Sequence, residues 1–342
     1  MMKIFKKTLL AAGLVGVALS AAGCQSADST GNSASNKSLS VVFLPSDSAK
    51  EATAARTAVA KELSKATGKK VTVKTTTDYN VAVQAIASGK AQIAMMGAEG
   101  YIQAKKQSKD VVPILTHSGK SGTLSDAQYR SYIMVPKDKA ASYKVNGKYD
   151  IHKIKGKRMS FVSNTSTSGF AIPAGALQQT FKLKNKDDLS QNGKFFSKVL
   201  FGGSHQGSAV NLLKGDSDVA AFDDTDLVQY GKFTNDASKV GADFKINKDA
   251  AAPFDAVRGK ESIALAVYPV QNEPVLVNKK GVTKTEINKI VKAFTSKQVT
   301  NDPKFFAPAD AKVRGMFTKD GNTKFIAISD KWYAPTQKIL GE

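Results

Sequence analysis

Hydroxyl side chains and a glycine directly follow a short apolar run in the stretch 160–170, Ser-Phe-Val-Ser-Asn-Thr-Ser-Thr-Ser-Gly-Phe. The apolar run is typical of a strand, and a helix is predicted over 170–181. A strand that leads into a helix in this way directs free backbone N–H groups and hydroxyls to one point, at the positive end of the helix dipole. Such a point suits an oxyanion, so we interpret Ser166, Thr167 and Ser168 as ligand-binding residues. Because serine and threonine are also ordinary helix caps, a purely structural role stays open.

A second turn of this kind carries a histidine. His205 follows two glycines and a serine, between a predicted strand at 195–201 and a predicted helix at 206–214. Its ring can donate a hydrogen bond to an anion, and a neighbouring dianion would favour the protonated ring. A structural histidine is the alternative. His117 and His152 lack this context, and we interpret them as surface residues.

Two tyrosines are further candidates for the same site. Tyr79 follows Asp78, a predicted helix cap, and could cover a ligand with its ring or donate its hydroxyl. Tyr129 begins a long predicted strand, 129–136, which leaves the first group of elements. For each tyrosine, packing in the core or at a hinge is the alternative.

Predicted strands and helices alternate along the chain in a way that is typical of α/β proteins with parallel strands. The predicted strands are 39–44, 71–75, 93–96, 129–136, 159–162, 195–201, 219–222, 263–267 and 275–277. The predicted helices are 49–67, one between Asp78 and Gly89, one from Glu99, 170–181, 206–214, 284–296 and 322–334. Two α/β units joined by an outgoing and a returning strand predict two lobes. Ligands of such sheets bind beyond the C-terminal strand ends, so hinge closure would bury a ligand between the lobes.

Four segments together resemble the phosphonate- and phosphite-binding receptors of ABC importers. The segments are 77–80 with 85–90, 93–97 with Tyr101, 156–162 with 166–170, and 201–205 with 215–221. The chain departs from the family pattern at Gln92 and Arg130. The resemblance implies fold class α/β, namely the two-lobed type II periplasmic-binding-protein fold with a hinge of two crossing strands. It also implies a monomeric receptor, without cofactor or catalysis, that passes a phosphonate or related phosphorus oxyanion to an ABC permease and its ATPase subunit.

The resemblance gives a role to acidic residues, which are otherwise unexpected in an anion site. Carboxylates at comparable positions in the family can meet a ligand's amine or hydrogen-bond to protonated oxygens. Asp224 and Glu273 are predicted for this role. Asp223 and Asp226 compete with Asp224, because 222–226 admits more than one alignment.

The N-terminal segment resembles a bacterial lipoprotein signal. A basic start precedes the apolar run 8–19, and small residues precede Cys24, the only cysteine of 342 residues. Lipidation of Cys24 would anchor the protein to the extracytoplasmic face of the membrane, and a single cysteine excludes a disulfide within the chain. The predicted organisation is a signal peptide at 1–23, a tether at 24–38, a first lobe at 39–132, a second lobe at 133–268 and a return to the first lobe at 269–342.

The formal net charge of +21 raises the alternative of nucleic-acid binding. The lysines are scattered and aromatic residues do not interleave with a basic run, so we expect no nucleic-acid partner. The chain has no Gly-x-Ser-x-Gly, His-Glu-x-x-His or Walker motif, and three widely spaced histidines give no metal-ligand pattern. We therefore expect neither an enzyme nor a metal protein. The remaining alternatives are a receptor of the same fold for another anion or a thiamine-precursor-like solute, and a basic surface adhesin.

Overall fold

The computed structural model describes residues 38–45, 52–312 and 314–341. The predicted signal peptide at 1–23, Cys24 and nearly all of the predicted tether lie outside these residues. Within the described part of the chain the strands are β1 (Ser38–Phe43), β2 (Lys70–Thr75), β3 (Ile93–Met95), β4 (Val111–His117), β5 (Gln128–Pro136), β6 (Lys144–Val145), β7 (Lys148–Tyr149), β8 (Arg158–Phe161), β9 (Lys198–Phe201), β10 (Val219–Asp223), β11 (Gly231–Phe233), β12 (Asp243–Ile246), β13 (Glu261–Gln271), β14 (Val275–Asn278), β15 (Phe306–Ala307), β16 (Phe317–Thr318) and β17 (Phe325–Ala327). The α-helices there are α1 (Thr53–Thr67), α2 (Tyr79–Ala87), α3 (Ala98–Gln107), α4 (Ile172–Phe181), α5 (His205–Lys214), α6 (Lys284–Phe294), α7 (Lys297–Thr300) and α8 (Ala334–Leu340). Shorter helical segments are a π-helical turn at Thr167–Ala171 and 3-10 segments at Leu124–Asp126, Lys137–Tyr143, Ile151–Ile154, Lys186–Leu189, Asp255–Val257 and Asp330–Tyr333.

The first sheet has six strands in the order β17-β4-β14-β3-β1-β2. β1 pairs in parallel with both β2 and β3, as expected for consecutive strand–helix–strand units. β14 is antiparallel to both β3 and β4 and enters the sheet after the chain has passed through the second sheet. The C-terminal part of the chain therefore completes the first sheet.

The second sheet has seven strands in the order β11-β12-β13-β5-β10-β8-β9. β8 is parallel to both β9 and β10, so the C-terminal ends of these three strands lie at one edge. β5 and β13 pair antiparallel over their whole length, from Gln128 with Gln271 to Pro136 with Ser262. The predicted lobe boundaries at 132/133 and 268/269 fall inside these two strands. We propose the connections 118–127 and 272–274 as the lobe boundaries instead.

Helices cover both faces of each sheet. Alternate residues of β1 face opposite sides, so Val41 packs in the cluster that includes α1 and α6, and Val42 packs in the cluster that includes α2 and α3. In the second sheet, Ile133 packs on the side of α4 and Tyr132 on the side of α5. Among the helices of the described residues, none combines the length and the hydropathy that a membrane span requires.

Local capping chemistry sets several helix ends. The Asp78 carboxylate accepts hydrogen bonds from two backbone N–H groups at the start of α2, and Thr283 and Glu286 form a capping box on α6. α5 ends at Gly215, whose φ of 89° is a left-handed conformation that glycine adopts without strain. These residues fix where α2 and α6 begin and where α5 ends.

Two predicted elements differ from the structure. The predicted helix at 322–334 is replaced by β17, a 3-10 segment and the beginning of α8. Phe325 is 2% exposed and its ring packs against that of Phe294, so pairing of β17 with β4 outweighs the local helical pattern. The predicted strand at 195–201 is shortened to β9, because the backbone N–H of Phe195 bonds to Asp188 and the carbonyl of Phe196 accepts from Gly193, outside the pairing with β8.

Candidate ligand-binding site

Three loops of the second sheet meet at the edge where β8, β9 and β10 end. The loop after β8 carries Ser166, Thr167 and Ser168, at the start of the π-helical turn that leads into α4. The loop after β9 leads to His205, the first residue of α5, and β10 ends at Asp223. Because neighbouring parallel strands end together, these distant parts of the sequence lie side by side.

The turn after β8 folds back tightly on the strand end. Ser166 Oγ accepts a hydrogen bond from the backbone N–H of Gly169 at 3.1 Å. A Cβ atom at Gly169 would lie 2.2 Å from Val162 Cγ2, so this close approach needs glycine. Ser166, Thr167 and Ser168 are all buried, which places three hydroxyl groups in the interior at the beginning of a helix.

His205 is buried and held as a neutral ring. Its Nδ1 accepts a hydrogen bond from the backbone N–H of Asp223 at 3.1 Å, so Nδ1 carries no proton and the proton is on Nε2. Nε2 lies 3.5 Å from Ser166 Oγ and 3.4 Å from Asp223 Oδ2. The structure therefore brings Ser166 and His205 together. In this arrangement Nε2 is the ring nitrogen that can donate to a ligand, and protonation of the ring beside a bound dianion stays a prediction.

Asp223 is the buried carboxylate of the cluster. Ser168 Oγ donates to its Oδ2 at 3.2 Å, and the backbone N–H of Asp226 donates to its Oδ1 at 3.0 Å. The Tyr129 hydroxyl in turn donates to Ser168 Oγ at 3.1 Å. Burial raises the pKa of Asp223 well above its usual value, and the charges of nearby carboxylates raise it further. Of the three aspartates that the sequence leaves open, the structure thus places Asp223 in the cluster.

Asp224 is the aspartate that the sequence favours for the site. Its side chain points away from the cluster and contacts Arg130. Its Oδ1 accepts from the backbone N–H of Arg130 at 3.0 Å, and its Oδ2 lies 3.5 Å from the Arg130 guanidinium. Side chains alternate across the end of a strand, so only one of two consecutive aspartates can face the cluster. Burial raises the pKa of Asp224, and the hydrogen bonds and charge of Arg130 oppose this shift.

The first lobe contributes Tyr79. Its hydroxyl hydrogen-bonds with the Ser166 side chain, and burial raises its pKa well above the usual value, with smaller effects from the charges of Asp226, Asp223 and Glu273. Glu273, on the connection between β13 and β14, also raises the pKa of Tyr129, second to burial. Tyr79, Tyr129 and Glu273 therefore lie near the same cluster, and their role in ligand binding stays a prediction.

Thr167 joins the two lobes directly. Its Oγ1 accepts a hydrogen bond at 2.8 Å from the backbone N–H of Glu99, in the first turn of α3. A Cβ atom at Gly97 would lie 2.4 Å from the same oxygen. Thr167 Oγ1 thus accepts a hydrogen bond from the first lobe, and its hydroxyl proton can still be donated to a ligand.

Four helical segments begin at this cluster. Tyr79 is the first residue of α2, Glu99 the second of α3, Thr167 the first of the π-helical turn and His205 the first of α5. Each helix start carries a partial positive charge. The cluster therefore combines positive helix ends and hydrogen-bond donors with buried carboxylates.

His205, Asp223 and Asp226 form a group of described residues whose possible metal-ligand atoms lie within 4.8 Å of one another. Sequence spacing does not reveal this group, because its members come from different loops. Since His205 Nδ1 already accepts a hydrogen bond, a metal at Nε2 would require a ring without a proton on either nitrogen. The arrangement suits an oxyanion, to which Nε2–H can donate, better than a metal ion.

The other two histidines and Gln92 lie away from this cluster. His152 is exposed, as predicted, and lies next to the Asp150 carboxylate. His117 is not a simple surface residue, because its ring stacks on Phe317 and burial lowers its pKa to about 4. Gln92, a departure from the family pattern, is buried and bonds to the backbone of β1.

The sequence matches a protein-family model. Residues 41–333 match the family described as "ABC transporter, phosphonate, periplasmic substrate-binding protein". The chain is also 27% identical over 230 residues to the phosphate-import protein PhnD of Mycolicibacterium smegmatis, which covers 65% of this chain and 67% of that protein. The match to the family model spans both sheets and every residue of the cluster.

Two solved structures are similar in fold. A binding-protein component of an ABC phosphonate transporter from Pseudomonas aeruginosa has a TM-score of 0.63 at 16% identity, over 88% of this chain and 84% of that one. PhnD1 from Prochlorococcus marinus, solved with methylphosphonate, has a TM-score of 0.59 at 18% identity, over 89% of this chain and 97% of that one. These similarities confirm the predicted two-lobed α/β fold.

Proposed function

Because the chain belongs to the periplasmic substrate-binding proteins of phosphonate ABC transporters, we propose that the buried cluster around Ser166 and His205 is its ligand site. In this proposal the two lobes enclose a phosphonate or related phosphorus oxyanion. A permease with its ATPase subunit then receives the ligand, and the receptor, acting as a monomer, carries out no reaction.

The observation that carries the proposal is the convergence of buried donors from both lobes. The second lobe supplies the Ser166 hydroxyl and Nε2 of His205, and the first lobe supplies the Tyr79 hydroxyl. A phosphonate group presents three oxygens in a tetrahedral arrangement, and each can accept from these donors. Hydrogen bonds to a charged acceptor are roughly twice as strong as those between neutral groups. The same donors therefore hold an oxyanion more firmly than they hold water.

The carboxylates limit which combinations of protonation states of the ligand and of Asp223 are compatible with binding. Asp223 lies among the donors, and Asp226 and Glu273 add negative charge nearby. A dianionic ligand next to an ionised Asp223 would be repelled. Because burial already raises the pKa of Asp223, we propose that Asp223 keeps its proton in the complex and donates it to a ligand oxygen.

Phosphate is the second candidate ligand. The relative from Mycolicibacterium smegmatis is named a phosphate-import protein. Phosphate presents the same three oxygens and adds a hydroxyl, which could donate to an ionised Asp223. In the hydrogen bond between Asp223 and the ligand, Asp223 would therefore donate the proton to a phosphonate, whereas a phosphate would donate its own proton to Asp223.

Calorimetric titration with methylphosphonate, aminoethylphosphonate, phosphite and phosphate tests the proposal. We expect saturable binding of at least one of them. Ser166→Ala should weaken that binding by about 1–3 kcal/mol, because a buried charge loses a donor. Ser125→Ala, at an exposed serine in the turn Leu124–Asp126, is the matched control. Unchanged affinity of the Ser166→Ala protein, or no binding of any of the four anions, would refute the proposal.

We also propose that Cys24 is lipidated and that residues up to 38 tether the folded body to the outer face of the membrane. Small residues before Cys24 and a preceding apolar run support this proposal. A tethered receptor would keep its ligand site close to the permease.

A further inference from the structure

A cavity lies where the start of α2 meets the loops after β8 and β9. It has a volume of about 320 Å³, and we call it the mouth cavity. Its walls include Tyr79 and Asn80 from the first lobe, and Val162, Asn164 and Phe201 from the second. Both lobes are therefore needed to form it, as they are for the anion cluster.

We propose that the mouth cavity binds the organic substituent of the phosphorus ligand, an inference that rests on the proposed function. The two sites share Tyr79, which lines the mouth cavity and whose hydroxyl bonds to Ser166. The loop after β8 also connects them, since Val162 and Asn164 line the cavity and Ser166 belongs to the cluster. A substituent on a phosphorus atom held at Ser166 can extend along this loop into the cavity.

An exposed aromatic ring gives the mouth cavity its apolar surface. Phe201, the last residue of β9, is 45% exposed, and its ring lies 6.2 Å from that of Phe161 and 6.1 Å from that of Phe170. The inner side of the ring is thus fixed by the core while its outer side remains in water. Gly203, two residues later, has a φ of 73° and adds no side chain to the opening. A substituent of a few carbon atoms would cover this exposed ring.

The polar groups of the mouth cavity favour a hydroxyl over a charge. Asn80 Nδ2 donates to Asn164 Oδ1 at 3.4 Å across the cleft. The remaining amide atoms, Asn80 Oδ1 and Asn164 Nδ2, offer one acceptor and one donor, which a hydroxyl group can use together. Asp78 also lines the cavity, and its carboxylate at the start of α2 would repel a second negative charge on the ligand. The cavity thus favours hydroxyl-bearing alkyl phosphonates over phosphonates that carry a second negative charge.

The test compares four phosphonates that share a head group: methylphosphonate, propylphosphonate, hydroxypropylphosphonate and phosphonoacetate. We expect the wild-type protein to bind hydroxypropylphosphonate most tightly and phosphonoacetate least tightly. Phe201→Ala should weaken binding of both three-carbon ligands by about fivefold, because it removes their apolar contact, and should leave methylphosphonate within about twofold. Asn164→Ala should abolish the advantage of hydroxypropylphosphonate over propylphosphonate. Val240→Ala, at an exposed valine outside the cavity, is the control.

The outcomes separate this inference from the proposed function. If methylphosphonate binds but Phe201→Ala affects all four ligands equally, the mouth cavity is not a substituent site and the anion site stands. Equal binding of all four ligands by the wild-type protein would also show that the mouth cavity is not a substituent site, while the anion site stands. If neither these ligands nor phosphite or phosphate binds, the proposed function fails as well.

Discussion

Asp223 is the residue on which the charge balance of the cluster depends. It is 4% exposed, and its pKa is raised chiefly by burial. A raised carboxyl pKa means that the folded state holds the proton more tightly than the unfolded chain does. Its stabilising contribution is therefore complete below the unfolded pKa of about 3.9 and is lost as the pH rises through the folded value.

Asp223→Asn should raise the free energy of unfolding at neutral pH, because it replaces a buried carboxylate with a neutral group of similar shape. The difference from wild type should shrink as the pH falls and should vanish below about pH 4, where both proteins are neutral at this position. Urea denaturation from pH 4 to pH 8 measures it. Asp249→Asn, at an exposed aspartate, is the control, and an equal effect of the two variants at every pH would contradict the prediction.

The identity of this residue illustrates what the sequence leaves open. Hydroxyls after β8 and a histidine after β9 can be placed by strand–turn–helix patterns, which are local. The choice between Asp223 and Asp224 depends on where β10 ends, and this is set by its pairing with β5 and β8. Such pairing is not local, so the sequence predicts the group of acids and the structure identifies the member that faces the cluster.

The start of α3 meets the π-helical turn at the boundary between the lobes. Gly97, the residue before α3, has φ −65° and ψ 166°, a conformation that alanine also adopts. Its lack of a side chain matters because a Cβ would lie 2.4 Å from Thr167 Oγ1. Glycine at this position therefore permits the contact between Glu99 N–H and Thr167.

Gly97→Ala should hold the two elements apart and weaken ligand binding by about 1–3 kcal/mol, the usual cost of overpacking a close contact. Combining it with Thr167→Ala removes the clashing oxygen and should restore part of the affinity, even though Thr167→Ala alone removes a hydrogen bond. Calorimetry with the best ligand of the panel measures affinity, and small-angle X-ray scattering measures closure. Wild-type affinity in the Gly97→Ala protein would show that the contact does not control closure.

Elements with strong local signals were predictable, and elements fixed by distant contacts were not. α2 and α5 follow from a cap at one end and a glycine at the other. β17 lies in a segment with a helical pattern, but Phe325 becomes part of a buried aromatic cluster that only the folded chain assembles. The second sheet likewise takes all of β5 and β13, which moves the proposed lobe boundaries to the connections beyond them.

The whole molecule combines two sheets with an N-terminal segment outside the described residues. The matched family model covers the two sheets and does not include Cys24. The proposed anchor therefore lies outside the part of the chain that carries the proposed ligand site, and we expect its loss to leave ligand binding intact.

Cys24→Ser should release the protein from the membrane fraction, because the proposed lipid is attached to that thiol, and should leave ligand affinity within about twofold of wild type, because Cys24 is not among the residues of the proposed ligand site. Cell fractionation and labelling with a palmitate analogue measure anchoring. Ser26→Ala, two residues away, is the control. Continued membrane association of the unlabelled Cys24→Ser protein would contradict the proposed lipid anchor.

The position of Glu273 has a consequence for the order of events during capture. It lies on the short connection between β13 and β14, which we propose as a lobe boundary, while Ser166, Ser168, His205 and Asp223 all belong to the second sheet and its loops. When the lobes of such a receptor open, these four groups stay together on one lobe, and Tyr79 and Glu273 change position relative to them. We therefore expect an arriving solute to meet the second lobe first and to contact Tyr79 only as the lobes close.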